Sequence, residues 1–231
     1  MSKSEVHISQ RTLRTPRSAA IAGIIFALLM GASLILIEVS IPENSANPTE
    51  WLENQAGTLT FALGLMPFAG IAFLWFMGVV RDRLGHLEDQ FFSTLFFGSG
   101  LLYLAMTFAS TAVAGGILAV FAFNPEGLID SGLYTFSQAM IYKFNQVFAL
   151  RMAGMHMIVL GTIWMRTNVM PRWVALVTYS LALVLIFVVG FFPLLTLVFP
   201  TWVFVISAYI LFLNYRARKE ESQMDGLTMK E

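Results

Sequence analysis

Apolar positions in this chain fall in long unbroken blocks, not in strict alternation. They cover residues 18–40, 58–80, 90–123, 134–165, 172–190 and 191–215, with short polar stretches between them. About 20 mainly apolar residues suffice for one helical crossing of a bilayer. The pattern therefore predicts an all-α, polytopic membrane protein, a six-helix transmembrane bundle over 18–215. A basic tail at 1–17 precedes it and a charged tail at 216–231 follows it, and the second tail is expected to be disordered.

Two blocks depart from a simple span. The block at 90–123 is too long for one perpendicular crossing and too short for two. It reads as a span to about Val113 with an irregular end near Gly115 and Gly116. Residues 191–200 are apolar yet hold two prolines, which points to a tight turn or a re-entrant piece.

The stretch at 145–166 carries the least ordinary polar residues. Arg151 and His156 stand among apolar neighbours there. A cation within a span is costly and normally faces protein or water. Counted from Met165 at 1.5 Å per residue, His156 lies about 14 Å and Arg151 about 21 Å along the helix. Arg151 has two escapes. It can snorkel along its own helix, or pair inside the bundle, where Glu38 matches it best in depth. Upstream, Gln138, Tyr142 and Asn145 form a polar edge on the same predicted helix, and His156 extends it. On the third helix, Tyr103 and Thr107 lie at a similar depth. Glu38, Tyr103, Thr107, Tyr142, Asn145, Arg151 and His156 are thus the candidates for ligand contact or gating, in the outer half of the bundle. The alternative for His156 is a neutral ring donating one hydrogen bond to a neighbouring helix.

Small residues mark the predicted helix contacts. Ala19, Gly23, Ala27 and Gly31 recur every four residues, a spacing that lets membrane helices approach closely. Gly100 belongs to a seven-residue repeat with Ser93, Thr107 and Ala114, while Gly154 and Gly161 give the fourth helix a close-approach face. Pro67, inside the second span, removes a backbone donor and is a hinge candidate. Asn47 and Pro48 carry capping chemistry, so residues 48–56 are expected as a short interfacial helix with Trp51 and Leu52 on the membrane. The segment at 124–133 reads as a turn-rich loop with two acids.

Composition supports the membrane reading. The chain is 57% hydrophobic and only 12% charged, about half the charge of a typical soluble domain. A formal net charge of zero gives no argument for nucleic-acid binding. With no cysteine, disulfides, thiolate metal sites and cysteine nucleophiles are excluded. The first apolar block is longer than a signal-peptide core and reads as an uncleaved span. With six crossings, twelve of the fourteen lysines and arginines share one side, leaving Lys143 and Arg151 on the other. Positive loops stay in the cytoplasm, which places both termini there.

Catalytic chemistry is hard to find. His7 lies in a tail and His86 in a charged loop with Glu88 and Asp89, a spacing that matches no strong metal motif. No Gly-x-Ser-x-Gly elbow and no phosphate-binding glycine loop occurs. Haem ligation by His156 with Met152 or Met155 competes with plain methionine packing, and Lys143 is poorly placed for a Schiff base. No cofactor and no metal is expected. The stretches RDRLGHLEDQFFSTLFFGSG at 81–100 and RTNVMPRWVALVTYSLALVL at 166–185 resemble uncharacterised multi-pass inner-membrane proteins of bacteria. That resemblance implies a bacterial inner-membrane protein and carries over no site residues. The expected function is an integral membrane binding or transport-associated protein. Its partners would be the bilayer, a lipid or small molecule, and a second copy of the chain. An oligomeric channel or small transporter is the alternative, ahead of an intramembrane enzyme.

Overall fold

A computed structural model describes residues 15–40, 48–84, 90–167, 170–188 and 193–228. Among the described residues all regular structure is helical. The elements are α1 (Thr15–Ser40), α2 (Pro48–Leu84), α3 (Gln90–Phe123), α4 (Pro125–Asp130), α5 (Leu133–Tyr142), α6 (Leu150–Thr167), α7 (Arg172–Phe187) and α8 (Val198–Thr228). A wide π turn, Lys143–Ala149, joins α5 to α6 without a break, and a 3-10 turn, Pro193–Leu197, leads into α8. Five stretches are long and apolar enough to cross a membrane: Ser18–Ser40, Leu52–Arg81, Gln90–Phe123, Leu133–Thr167 and Leu194–Leu213. The fifth predicted span in chain order, α7, has 16 residues and falls below that length.

Large apolar side chains cover the outside. On α2, Phe61, Phe68 and Trp75 are each more than 60% exposed and stand seven residues apart. Ile21, Leu28 and Ile35 make the matching stripe on α1. Soluble proteins rarely carry such patches, and lipid is the solvent that suits them.

Several helix limits differ from the sequence reading. The interfacial helix expected at 48–56 is the first part of α2, a single helix of 37 residues and about 55 Å. Leu52 does not rest on a membrane surface. It is fully buried against Ile117, Leu128 and Tyr134, under the cap made by α4 and α5. Nor does α3 unravel at Gly115 and Gly116, for it stays helical to Phe123. Ala114 and Ile117 on either side of the glycine pair are buried, and that packing outweighs the low helix propensity of glycine. The loop at 124–133 contains a helical turn of its own. The Asn124 side chain accepts the Gly127 N–H at 3.0 Å, and Pro125 takes the first turn. Gly132, with φ 72°, then supplies the left-handed residue that turns the chain into α5. At the far end α8 runs on to Thr228, so a helix occupies most of the tail expected to be disordered. Arginine, lysine and glutamate are good helix formers and let a helix leave the bilayer intact. The charged loop with His86, Glu88 and Asp89, residues 41–47 and most of the basic tail lie outside the described residues.

Packing order sets the site. Helix α1 packs chiefly on α2 and α8, while α6 packs on α7 and α3. The aromatic side chains Phe26, Phe73 and Phe199 knit the first group, with Phe26 and Phe73 centroids 4.5 Å apart. Ser33 ties α1 to α2 by donating to the Ala62 carbonyl at 2.6 Å.

Candidate functional site

His156 is completely buried at the point where α2, α3, α6 and α8 converge. Three rings surround its imidazole: Phe96 of α3 at 4.4 Å, Phe73 of α2 at 5.6 Å and Phe199 of α8 at 5.8 Å. Nδ1 lies 3.0 Å from the Phe96 carbonyl oxygen. A carbonyl can only accept, so Nδ1 carries the hydrogen and the neutral ring leaves its lone pair on Nε2. Among the described residues no group hydrogen-bonds to Nε2. Buried polar atoms nearly always have a partner, so an unsatisfied lone pair in an apolar box is a chemical feature in need of a reason.

Gly100 makes the contact possible. It sits one helical turn after Phe96, beside the carbonyl that His156 uses. A Cβ there would stand 3.2 Å from both Cε1 and Nδ1 of His156 and would collide with the Met77 sulfur. Gly100 thus opens the α3 backbone to a side chain from α6. The small-residue pattern picked out this glycine as a packing position, but only the tertiary structure shows what it admits.

Tyr103 belongs to the same cluster. It is buried one turn further along α3, with its ring 4.6 Å from Phe199 and 5.9 Å from Phe73. The Thr107 hydroxyl bonds back to the Tyr103 carbonyl at 2.9 Å. Ser99, Thr111 and Thr162 likewise bond to carbonyls one turn earlier in their own helices. Such back-bonding satisfies a hydroxyl inside a membrane without making it a site.

The other candidates lie elsewhere. Glu38 is exposed near the end of α1. Arg151 is half-buried, and its Nη1 donates to the Val147 carbonyl of its own helix at 2.9 Å. It has taken the route back along the helix. The main neighbours of the two helices differ, α2 and α8 for α1 against α7 and α3 for α6. Depth along the membrane could be counted from sequence, whereas helix adjacency could not. Tyr142 and Asn145 are half-buried, with Lys143 Nζ 6.0 Å from the Tyr142 ring.

The π turn explains why the polar edge stops short of His156. The Leu150 N–H reaches the Asn145 carbonyl, five residues back instead of four. One extra residue in a turn rotates everything beyond it by about 100°. Gln138, Tyr142 and Asn145 therefore share a face that His156 does not continue. This turn had no evident sequence signal, since its residues are ordinary helix formers.

Of the predicted packing glycines and alanines, Ala19, Gly23 and Ala27 are buried, and Gly23 admits Ser207 of α8 and Phe76 of α2. Gly31 faces open space, so the stripe ends one turn before it. Gly154 and Gly161 face α7. A Cβ on Gly154 would meet the Ala182 carbonyl at 2.9 Å, whereas Gly161 is in ordinary contact with Tyr179. Pro67 is exposed on α2, away from His156. No three His, Asp or Glu side chains converge on a metal position among the described residues. No protein-family model, curated protein or solved structure matches the chain.

Proposed function

We propose that this chain is an integral membrane binding or transport-associated protein whose ligand site is centred on His156. The observation that carries the reading is the Nε2 lone pair, held without a partner among the described residues inside an aromatic box where four helices meet. The Nδ1–H bond fixes the ring orientation and tautomer, and buried polar groups inside a bundle are where membrane proteins handle substrates and protons. A suitable ligand offers one hydrogen-bond donor amid an otherwise apolar body. Aromatic walls would hold that body and Nε2 would orient it.

The same reading places six crossings in a bacterial inner membrane with both termini cytoplasmic. Five helices of spanning length support it, as does the one-sided placement of Lys and Arg. Helix α7 then makes the remaining crossing. Its 16 residues reach about 24 Å, a mismatch that local bilayer thinning absorbs.

Native mass spectrometry of the purified protein beside His156→Phe tests the site. Phenylalanine keeps the aromatic packing and removes the lone pair. A small-molecule adduct on the parent that disappears from the variant is expected. Identical adducts on both would sink the reading. Flux measured with both proteins in liposomes then separates transport from binding.

A further inference from the structure

Helices α7 and α8 are held by different neighbours, α7 by α6 and α8 by α1. A cleft of about 460 Å³ lies between them. We propose that this cleft seats an acyl chain of an anionic phospholipid, with the headgroup at Arg172.

The walls select an apolar occupant. Val177 and Leu181 of α7 face Val198, Trp202 and Val205 of α8. The most buried polar pair, Trp202 Nε1 and the Thr178 hydroxyl, is spent on itself at 3.0 Å. Polar atoms contribute almost nothing to the surface that remains. Volume places the cleft in the range of sites for small ligands.

A second copy of the chain fits this cleft poorly. Helices associate in membranes through small residues that let backbones approach, and the cleft wall has no glycine, alanine or serine. By contrast, the groove on the outer faces of α1 and α2 includes Ser18, Ala22 and Ala72. Branched and aromatic side chains instead line an apolar cleft, a surface suited to a flexible hydrocarbon.

Charge selects the headgroup. Arg172 opens α7 and is exposed, one residue before Trp173, which is part of the cleft wall. An arginine and a tryptophan at a helix end form the usual anchor at the level of lipid headgroups. A guanidinium there offers paired donors to a phosphate, an arrangement that favours a lipid with net negative charge.

The test uses the full chain with Trp202 as its single tryptophan, the other four replaced by phenylalanine, in phosphatidylcholine vesicles. Phosphatidylglycerol brominated on its acyl chains quenches tryptophan on contact, and brominated phosphatidylcholine serves as the comparison. At equal mole fraction, the anionic lipid is expected to quench Trp202 at least twofold more strongly. Arg172→Gln should bring the two lipids level. Val177→Phe, a change at an exposed position, should reduce quenching by both. Equal quenching of the parent by the two lipids would overturn the proposal, as would quenching unaffected by Val177→Phe. Disulfide dimers of a Val205→Cys variant in vesicles would assign the cleft to a second copy and also overturn it.

Discussion

A buried side chain in a membrane protein has to find its partner within reach, and Arg151 and His156 do so differently. The guanidinium of Arg151 cannot shed its charge, so it reaches back to the Val147 carbonyl on its own half-exposed face. His156 can be neutral, and it crosses to another helix for one bond while its second nitrogen has none among the described residues. The contrast makes a prediction about energy. A buried ion pair leaves an uncompensated charge when one member is removed, so its double-mutant cycle is strongly non-additive. Arg151 and Glu38 sit on helices that pack on different neighbours. Thermal unfolding in detergent of Glu38→Gln, Arg151→Gln and the double variant should therefore be additive to within about 0.5 kcal/mol. A coupling of several times that size would restore the pair.

Among the helices, the same small residue means different things at different positions. Gly23 and Gly31 read alike in sequence, two turns apart on one face of α1. Ser207 and Phe76 crowd Gly23, while a Cβ added at Gly31 would meet no other part of the described fold within 4 Å. Gly23→Leu should destabilise the fold through overpacking by about 1–3 kcal/mol or more, and so lower the unfolding temperature. Gly31→Leu should unfold within a degree or two of the parent, because its Cβ enters open space. Equal losses from both would show that α1 is packed along its whole length, contrary to the structure. The glycine pair in α3 and the π turn carry the same lesson in reverse. The pair looked like a break and is helix, and the π turn looked like helix and shifts the phase of everything after it.

For the molecule as a whole, the arrangement divides into a tightly knit core and a looser edge. Phe26, Phe73, Tyr103, His156 and Phe199 make one continuous cluster across α1, α2, α3, α6 and α8. Helix α7 stands outside it, attached along Gly154 and by the bonds Thr162–Tyr179 and Trp202–Thr178. Orientation is the property this scale decides. The absence of native cysteine makes single-cysteine labelling clean. In intact cells, an impermeant thiol reagent should label Ser45→Cys and leave Ser222→Cys untouched. The opposite pattern would reverse the assignment of the two faces.

Span-length apolar blocks were legible in the sequence because a helical crossing needs about 20 apolar residues whatever its neighbours. Burial of Gly23, Gly100 and Gly154 was legible for a related reason, since close approach of helices needs small residues wherever it occurs. Neighbour relations were not legible. Nothing in the order of residues states that α6 meets α3 and not α1, or that Gly100 stands open beside the Phe96 carbonyl. Those facts depend on which side-chain shapes fit across long sequence separations. That fit, rather than any local preference, left Nε2 of His156 without a partner among the described residues and opened the cleft beside α7.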